Sequence, residues 1–118
     1  MNPSSPSKIL MIGNDTAMTY LVGRYAERGG YAIATLQTVP SAEEVCTQQP
    51  VALLFPSIEG LDAAQSLLSE LSRYDIPILV CSSIADEARA RELGADGCLL
   101  HPLTYDAFLA ALAATKAA

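Results

Sequence analysis

The side chains best suited to chemistry in this 118-residue chain are Asp15, Ser57, Glu59, Ser82 and His101, together with the thiols of Cys46, Cys81 and Cys98. Asp15, Glu59 and His101 are of types that ligate metal ions, but no paired spacing such as H-x-x-x-H accompanies them. A lone serine or cysteine becomes a nucleophile only beside an activating base and an oxyanion site, and no such grouping is legible. The phosphate-cradling patterns G-x-G-x-x-G and G-x-x-x-x-G-K-[ST] are both absent. Gly13-Asn14-Asp15-Thr16 opens a helix and offers backbone N–H groups to an anion, though without the hydroxyl-rich loop that binds a flavin phosphate. The residues thus predict neither an enzyme, nor a metal centre, nor a resident cofactor.

Composition narrows the class further. Thirteen acidic and seven basic residues give a net charge of −6, and the basic ones are scattered. Nucleic-acid binding needs a clustered basic surface, so that partner class is not expected. Three cysteines without a C-x-x-C pair read as buried, reduced thiols of a cytoplasmic protein. No secretory signal or membrane-length apolar run is visible. With 51% apolar residues the chain fills one core. Residues 1–7 read as a disordered polar lead-in, and residues 8–116 as a single globular domain.

Five strand patterns alternate with five helix patterns. Lys8–Ile12, Tyr31–Leu36, Val51–Phe55, Ile76–Cys81 and Cys98–Leu100 are short apolar runs suited to strands covered on both faces. The first helix is capped by Asn14 or Asp15, carries the stripe Met18, Leu21, Val22, Tyr25, and stops at Gly29-Gly30. Ser41 and Glu44 form an S-x-x-E capping box for a short second helix. A loop over Pro56–Gly60 leads into a third, extending to about Arg73, with Ala64, Leu67, Leu68 and Leu71 facing inward. A charged helix spans about Asp86–Leu93 and ends at Gly94. Thr104 caps the last helix, which buries Phe108, Leu109 and Leu112. This alternation predicts an α/β doubly wound (βα)5 domain with a parallel five-stranded sheet in the order 2-1-3-4-5. Ligands of such sheets bind beyond the carboxyl ends of the strands, here Gly13-Asn14, Phe55-Pro56, Ser82-Ser83 and His101.

Three segments, Lys8-Ile-Leu-Met-Ile-Gly-Asn-Asp15, Ile76-Pro-Ile-Leu-Val-Cys-Ser82 and Gly94-Ala-Asp-Gly-Cys-Leu-Leu-His-Pro-Leu103, resemble the receiver domain of two-component response regulators (CheY-like). The resemblance covers roughly residues 8 to 114. It implies a flavodoxin-like fold and a place in phosphorelay signal transduction. It also implies a chemistry that this chain lacks. Receivers use two acidic residues after the first strand to hold Mg²⁺; those positions are Gly13 and Asn14. The aspartate that accepts the phosphoryl group falls on Pro56 counted from the strand, or on Phe55 counted back from Gly60-Leu61-Asp62. His101 stands for the family's lysine, and Ser82 matches its phosphate-binding hydroxyl position, although a loop hydroxyl capping the next helix is its simpler reading. Cys98 replaces the family's rotamer-switching aromatic and reads as core packing.

The resemblance therefore implies a degenerate pseudoreceiver, a phosphorylation-independent module that binds a protein partner or a second copy of itself. Two alternatives stand beside it: an atypical phosphorelay receiver phosphorylated at a substitute residue, and a flavodoxin-like domain binding a small ligand. By analogy with receivers, the partner surface is expected on the fourth helix, fifth strand and fifth helix, around Asp86, Glu87, Arg89, Arg91, Glu92, Asp96 and Tyr105. The turn after the fifth strand is expected to carry a cis His101–Pro102 bond.

Overall fold

Each of the central strands is apolar at every position or nearly so, which suits a strand covered by helices on both sides. The computed structural model describes residues 7–100 and 102–117. It therefore does not bear on a disordered lead-in or on the isomer of the His101–Pro102 bond; residues 1–6 and His101 lie outside the described residues. The strands are β1 (Lys8–Ile12), β2 (Ala32–Leu36), β3 (Ala52–Phe55), β4 (Ile78–Ser82) and β5 (Gly97–Leu100). They form one parallel sheet in the order β2-β1-β3-β4-β5.

Helices α1 (Thr16–Arg28), α2 (Ala42–Gln48), α3 (Ile58–Ala63), α4 (Gln65–Glu70), α5 (Glu87–Glu92) and α6 (Tyr105–Ala117) join them. Alternate residues of each inner strand face opposite sides. Ile9, Met11, Ala52, Leu54, Leu79 and Cys81 pack with Met18, Val22 and Ala26 of α1 and with Phe108 and Leu112 of α6. Leu10, Ile12, Leu53, Phe55, Ile78 and Val80 pack on the other side with residues of α2 to α5, among them Val45, Leu61, Leu67 and Ala90.

Local chemistry sets the helix ends. The Asp15 carboxylate caps α1 by accepting from the Met18 N–H at 2.9 Å. Ser41 caps α2 through the Glu44 N–H, and Thr104 caps α6 through the Ala107 N–H. Gly30 and Gly94, at φ of 83° and 106°, turn the chain out of α1 and α5.

Among the helices, the structure departs from the sequence expectation in three places. The Pro56–Gly60 segment is not a loop: the Ser57 hydroxyl accepts from the Gly60 N–H at 3.1 Å and starts α3 at Ile58. The single helix expected to reach Arg73 is broken at Ala64 into α3 and α4. There the Leu61 carbonyl takes both the Ala64 N–H and the Gln65 side-chain amide, which tightens the turn; the same amide also reaches the Leu93 carbonyl at 2.8 Å. The helix expected over Asp86–Leu93 begins as a 3₁₀ turn, Ile84–Asp86, before the short α5.

Candidate functional site

The ends of β1, β3 and β4, expected to hold chemistry, lie at one edge of the parallel sheet, and Gly13 and Pro56 meet there through carbon. Gly13 follows β1, its N–H bonded to the Leu36 carbonyl at 2.8 Å. Its φ of 149° lies in a region closed to most side-chain-bearing residues. A Cβ at this position would stand 2.6 Å and 2.7 Å from Cγ and Cδ of Pro56. The buried pyrrolidine ring of Pro56 therefore sits directly on the Gly13 backbone. Phe55 is fully buried in the core beneath α3, so of the two residues on which the acceptor position falls, Pro56 is the one beside Gly13.

These residues do not fit a Mg²⁺ ion. A hard divalent cation needs several oxygen ligands with charge among them. Gly13 has no side chain, Pro56 presents carbon, and Asn14 is an exposed neutral amide. Asp15 is the nearest carboxylate in sequence, and its Oδ1 is engaged in capping α1. Among the described residues, no three His, Cys, Asp or Glu side chains group as metal ligands. Ser57 is likewise committed to its capping bond, and Glu59 is exposed on α3.

Ser82 differs from its simpler sequence reading. It does not cap the following helix; it is the last residue of β4, paired with Leu100, and only 5% exposed. Its hydroxyl has no hydrogen-bond partner among the described residues. Burying a hydroxyl unpaired costs about 1–3 kcal/mol, and no capping bond offsets that cost.

All three cysteines are free, but only Cys81 is buried; Cys46 and Cys98 are partly exposed, contrary to the expectation of three buried thiols. Burial pushes the Cys81 thiol up to about 12, and the Asp15 carboxylate adds to the rise. A thiol that holds its proton so firmly is a poor nucleophile at neutral pH.

The seven residues expected to form a partner surface do not share one face. Arg91 pairs with Glu87 at 3.4 Å and donates to the Asp96 carbonyl, toward β5. Arg89 reaches the other way, to Asp62 of α3 at 3.9 Å. The Asp96 side chain is structural: its Oδ2 accepts from the Ile78 N–H at 2.8 Å, and its own N–H bonds to the Ile78 carbonyl, clipping the start of β5 to β4. Tyr105 lies against α1, with its ring 5.7 Å from that of Tyr25 and the Arg28 guanidinium 4.2 Å above it. Asp86 and Glu92 are exposed on the α5 side.

The Gly13-Asn14-Asp15-Thr16 segment, read in the sequence as offering backbone N–H groups to an anion, lines a groove whose extent along α1 and β2 the sequence did not reveal. This shallow groove of about 340 Å³ runs along the ends of β1 and β2, lined by Asn14, Thr16, Thr19, Tyr20, Thr35 and Gln37 among others. Tyr20 is 65% exposed at its rim.

No protein-family model matches the chain, and no curated protein matches it either. Its fold, by contrast, is shared by many solved structures. A putative response regulator from Chloroflexus aurantiacus superposes with a TM-score of 0.75 at 19% identity, covering 97% of this chain and all of the other. The N-terminal signal receiver domain of a two-component response regulator from Bacteroides fragilis gives 0.72 at 19% identity, with 94% and 97% covered. The chemotaxis protein CheY4 of Vibrio cholerae gives 0.70 at 16% identity, with 94% and 99% covered. The architecture is that of the response-regulator receiver domain. On that architecture, this chain carries Gly13, Asn14 and Pro56 where the resemblance calls for carboxylates.

Proposed function

We propose that this chain is a pseudoreceiver, a receiver-fold module that binds a protein partner in two-component-type signalling without being phosphorylated. One observation carries the reading. Pro56 is packed onto Gly13 so closely that the two replacements are sterically matched, with the ring filling space that a side chain at position 13 would need. The space directly over Gly13, on the β3 side, is taken by the Pro56 ring, which supports a site that no longer receives a phosphoryl group. Fold and site are separable, so a partner surface can outlast the chemistry beside it. The charges on and just before α5 (exposed Asp86, Arg89, Arg91 and Glu92, with the partly buried Glu87) remain the candidate contact by analogy with receivers, while Asp96 and Tyr105 make their bonds elsewhere in the fold. The test is an amide NMR spectrum recorded with and without Mg²⁺ and beryllofluoride, which mimics a phosphoryl group on a carboxylate. The spectrum is expected not to change. Shifts clustered at the ends of β1, β3 and β4 would overturn the reading.

A further inference from the structure

Four of the seven basic residues are Arg24, Arg28, Arg89 and Arg91, and the structure treats the two pairs differently. Arg89 and Arg91 each have a carboxylate within ion-pair distance. Arg24 and Arg28 have none among the described residues. Each lies instead over a tyrosine ring: Arg24 at 5.8 Å from the centre of Tyr20, with an N–H also donating to the Tyr20 hydroxyl at 2.9 Å, and Arg28 at 4.2 Å from the centre of Tyr105. The buried side of α1 carries Met18, Val22 and Ala26, and residues 20, 24 and 28 are turned away from it.

From this arrangement we infer a docking surface on the outer face of α1, made by Tyr20, Arg24, Arg28 and Tyr105, for a protein segment that presents two carboxylates one helical turn apart. Stacking on Tyr105 fixes the Arg28 guanidinium while leaving its edge N–H groups free for a two-point bond to a carboxylate, and Arg24, held by one N–H on the Tyr20 hydroxyl, keeps its remaining N–H groups for a second. Ordering before binding lowers the entropy that a partner must overcome. Arg24 and Arg28 are four residues apart, about 6 Å along the helix, which is also the spacing of acidic side chains four apart on a partner helix. Tyrosine and arginine are the residue types that most often dominate binding energy at interfaces. Charge argues the same way. On a molecule of net charge −6, Arg24 and Arg28 have no carboxylate within ion-pair distance among the described residues, so an acidic segment meets positive charge here that the chain itself does not neutralise. Glu27 also lies on the exposed side of α1 and sets a limit, favouring carboxylates toward Arg28 and Tyr105.

This inference rests on the proposed function only in taking the partner to be a protein, and its test needs neither phosphodonor nor metal, so the two can fail separately. The isotope-labelled chain is titrated with a capped, alanine-rich helical peptide bearing glutamates four residues apart, followed by amide NMR. A peptide of the same composition with its glutamates spread around the helix is the control. The stripe peptide is expected to shift amides of α1 and the start of α6, more weakly as salt rises. Arg24→Glu with Arg28→Glu is expected to weaken binding at least about tenfold, from the loss of two charge-assisted contacts. Arg24→Lys, which keeps the charge and loses the fork, is expected to fall between. Equal binding of the control peptide, indifference to the double substitution, shifts confined to α5, or no shift at millimolar peptide would overturn the inference. So would α1 shifts that grow with the chain's own concentration in the absence of peptide, since the occupant would then be a second copy.

Discussion

Gly13 and Pro56 are fitted to each other at the level of single residues. A methyl group at position 13 meets the proline ring and also forces a side-chain-bearing residue to a φ of 149°. Gly13→Ala is expected to cost roughly 1–3 kcal/mol by urea denaturation. Pro56→Ala in the same chain removes the ring carbons and leaves the backbone strain. Part of the cost should therefore return, giving a coupling of about 1 kcal/mol in the double-mutant cycle. Strict additivity would show that the ring and Gly13 are not in contact. Cys81 supplies a second expectation at this scale. In the unfolded chain its thiol ionises near 9, whereas in the fold it holds its proton to about 12. The native state then binds the extra proton between those values, so stability is unaffected below pH 9 and falls as pH rises through that window. Cys81→Ala is expected to flatten this alkaline decline when thermal unfolding is followed from pH 8 to pH 11. An unchanged slope would mean the thiol ionises equally in both states. The resemblance placed Gly13, Asn14 and either Phe55 or Pro56 at positions where receivers carry acids; the sequence did not show that Gly13 and Pro56 fill each other's space. That fact depends on β1 and β3 lying side by side.

Among the elements, legibility followed how local the determining contacts are. β1, β3 and β4 were readable because strands buried on both faces are apolar at nearly every position. The caps at Asp15, Ser41 and Thr104 were readable because each bond spans three residues. The start of α3 was missed although Ser57 makes the same local bond, because Pro56 and Gly60 around it look like loop punctuation. The break at Ala64 was not readable at all: Gln65 is drawn to the Leu93 carbonyl, 28 positions away. Ser82 was misjudged for the same reason, since its burial follows from pairing with Leu100 in the edge strand. That edge strand depends on Asp96, whose carboxylate takes the Ile78 N–H and so holds the first residue of β4 against β5. Asp96→Ala is expected to destabilise the domain by about 1–3 kcal/mol in urea, the usual range for losing a hydrogen bond to a charged group. Hydrogen exchange should quicken in β5 before other strands. If stability is unchanged while association weakens, Asp96 belongs to an interface and not to the sheet.

The molecule as a whole has a receiver architecture and a core on each face of its sheet, and where β1 and β3 end the Pro56 ring lies on the Gly13 backbone. On the proposed reading there is no acyl phosphate to favour one conformation over another, and a phosphodonor has no differential grip on two states of this domain. Its surface should stay in one state, and partner choice should follow fixed charge: the paired arginines of α5 and the stacked arginines of α1. The described residues contain no helix long and apolar enough to cross a membrane. The most direct measurement of the central claim is the intact mass of the purified chain after incubation with a small acyl-phosphate donor and Mg²⁺. The account predicts one species at the unmodified mass, with or without the metal. A Mg²⁺-dependent species heavier by one phosphoryl group would contradict it.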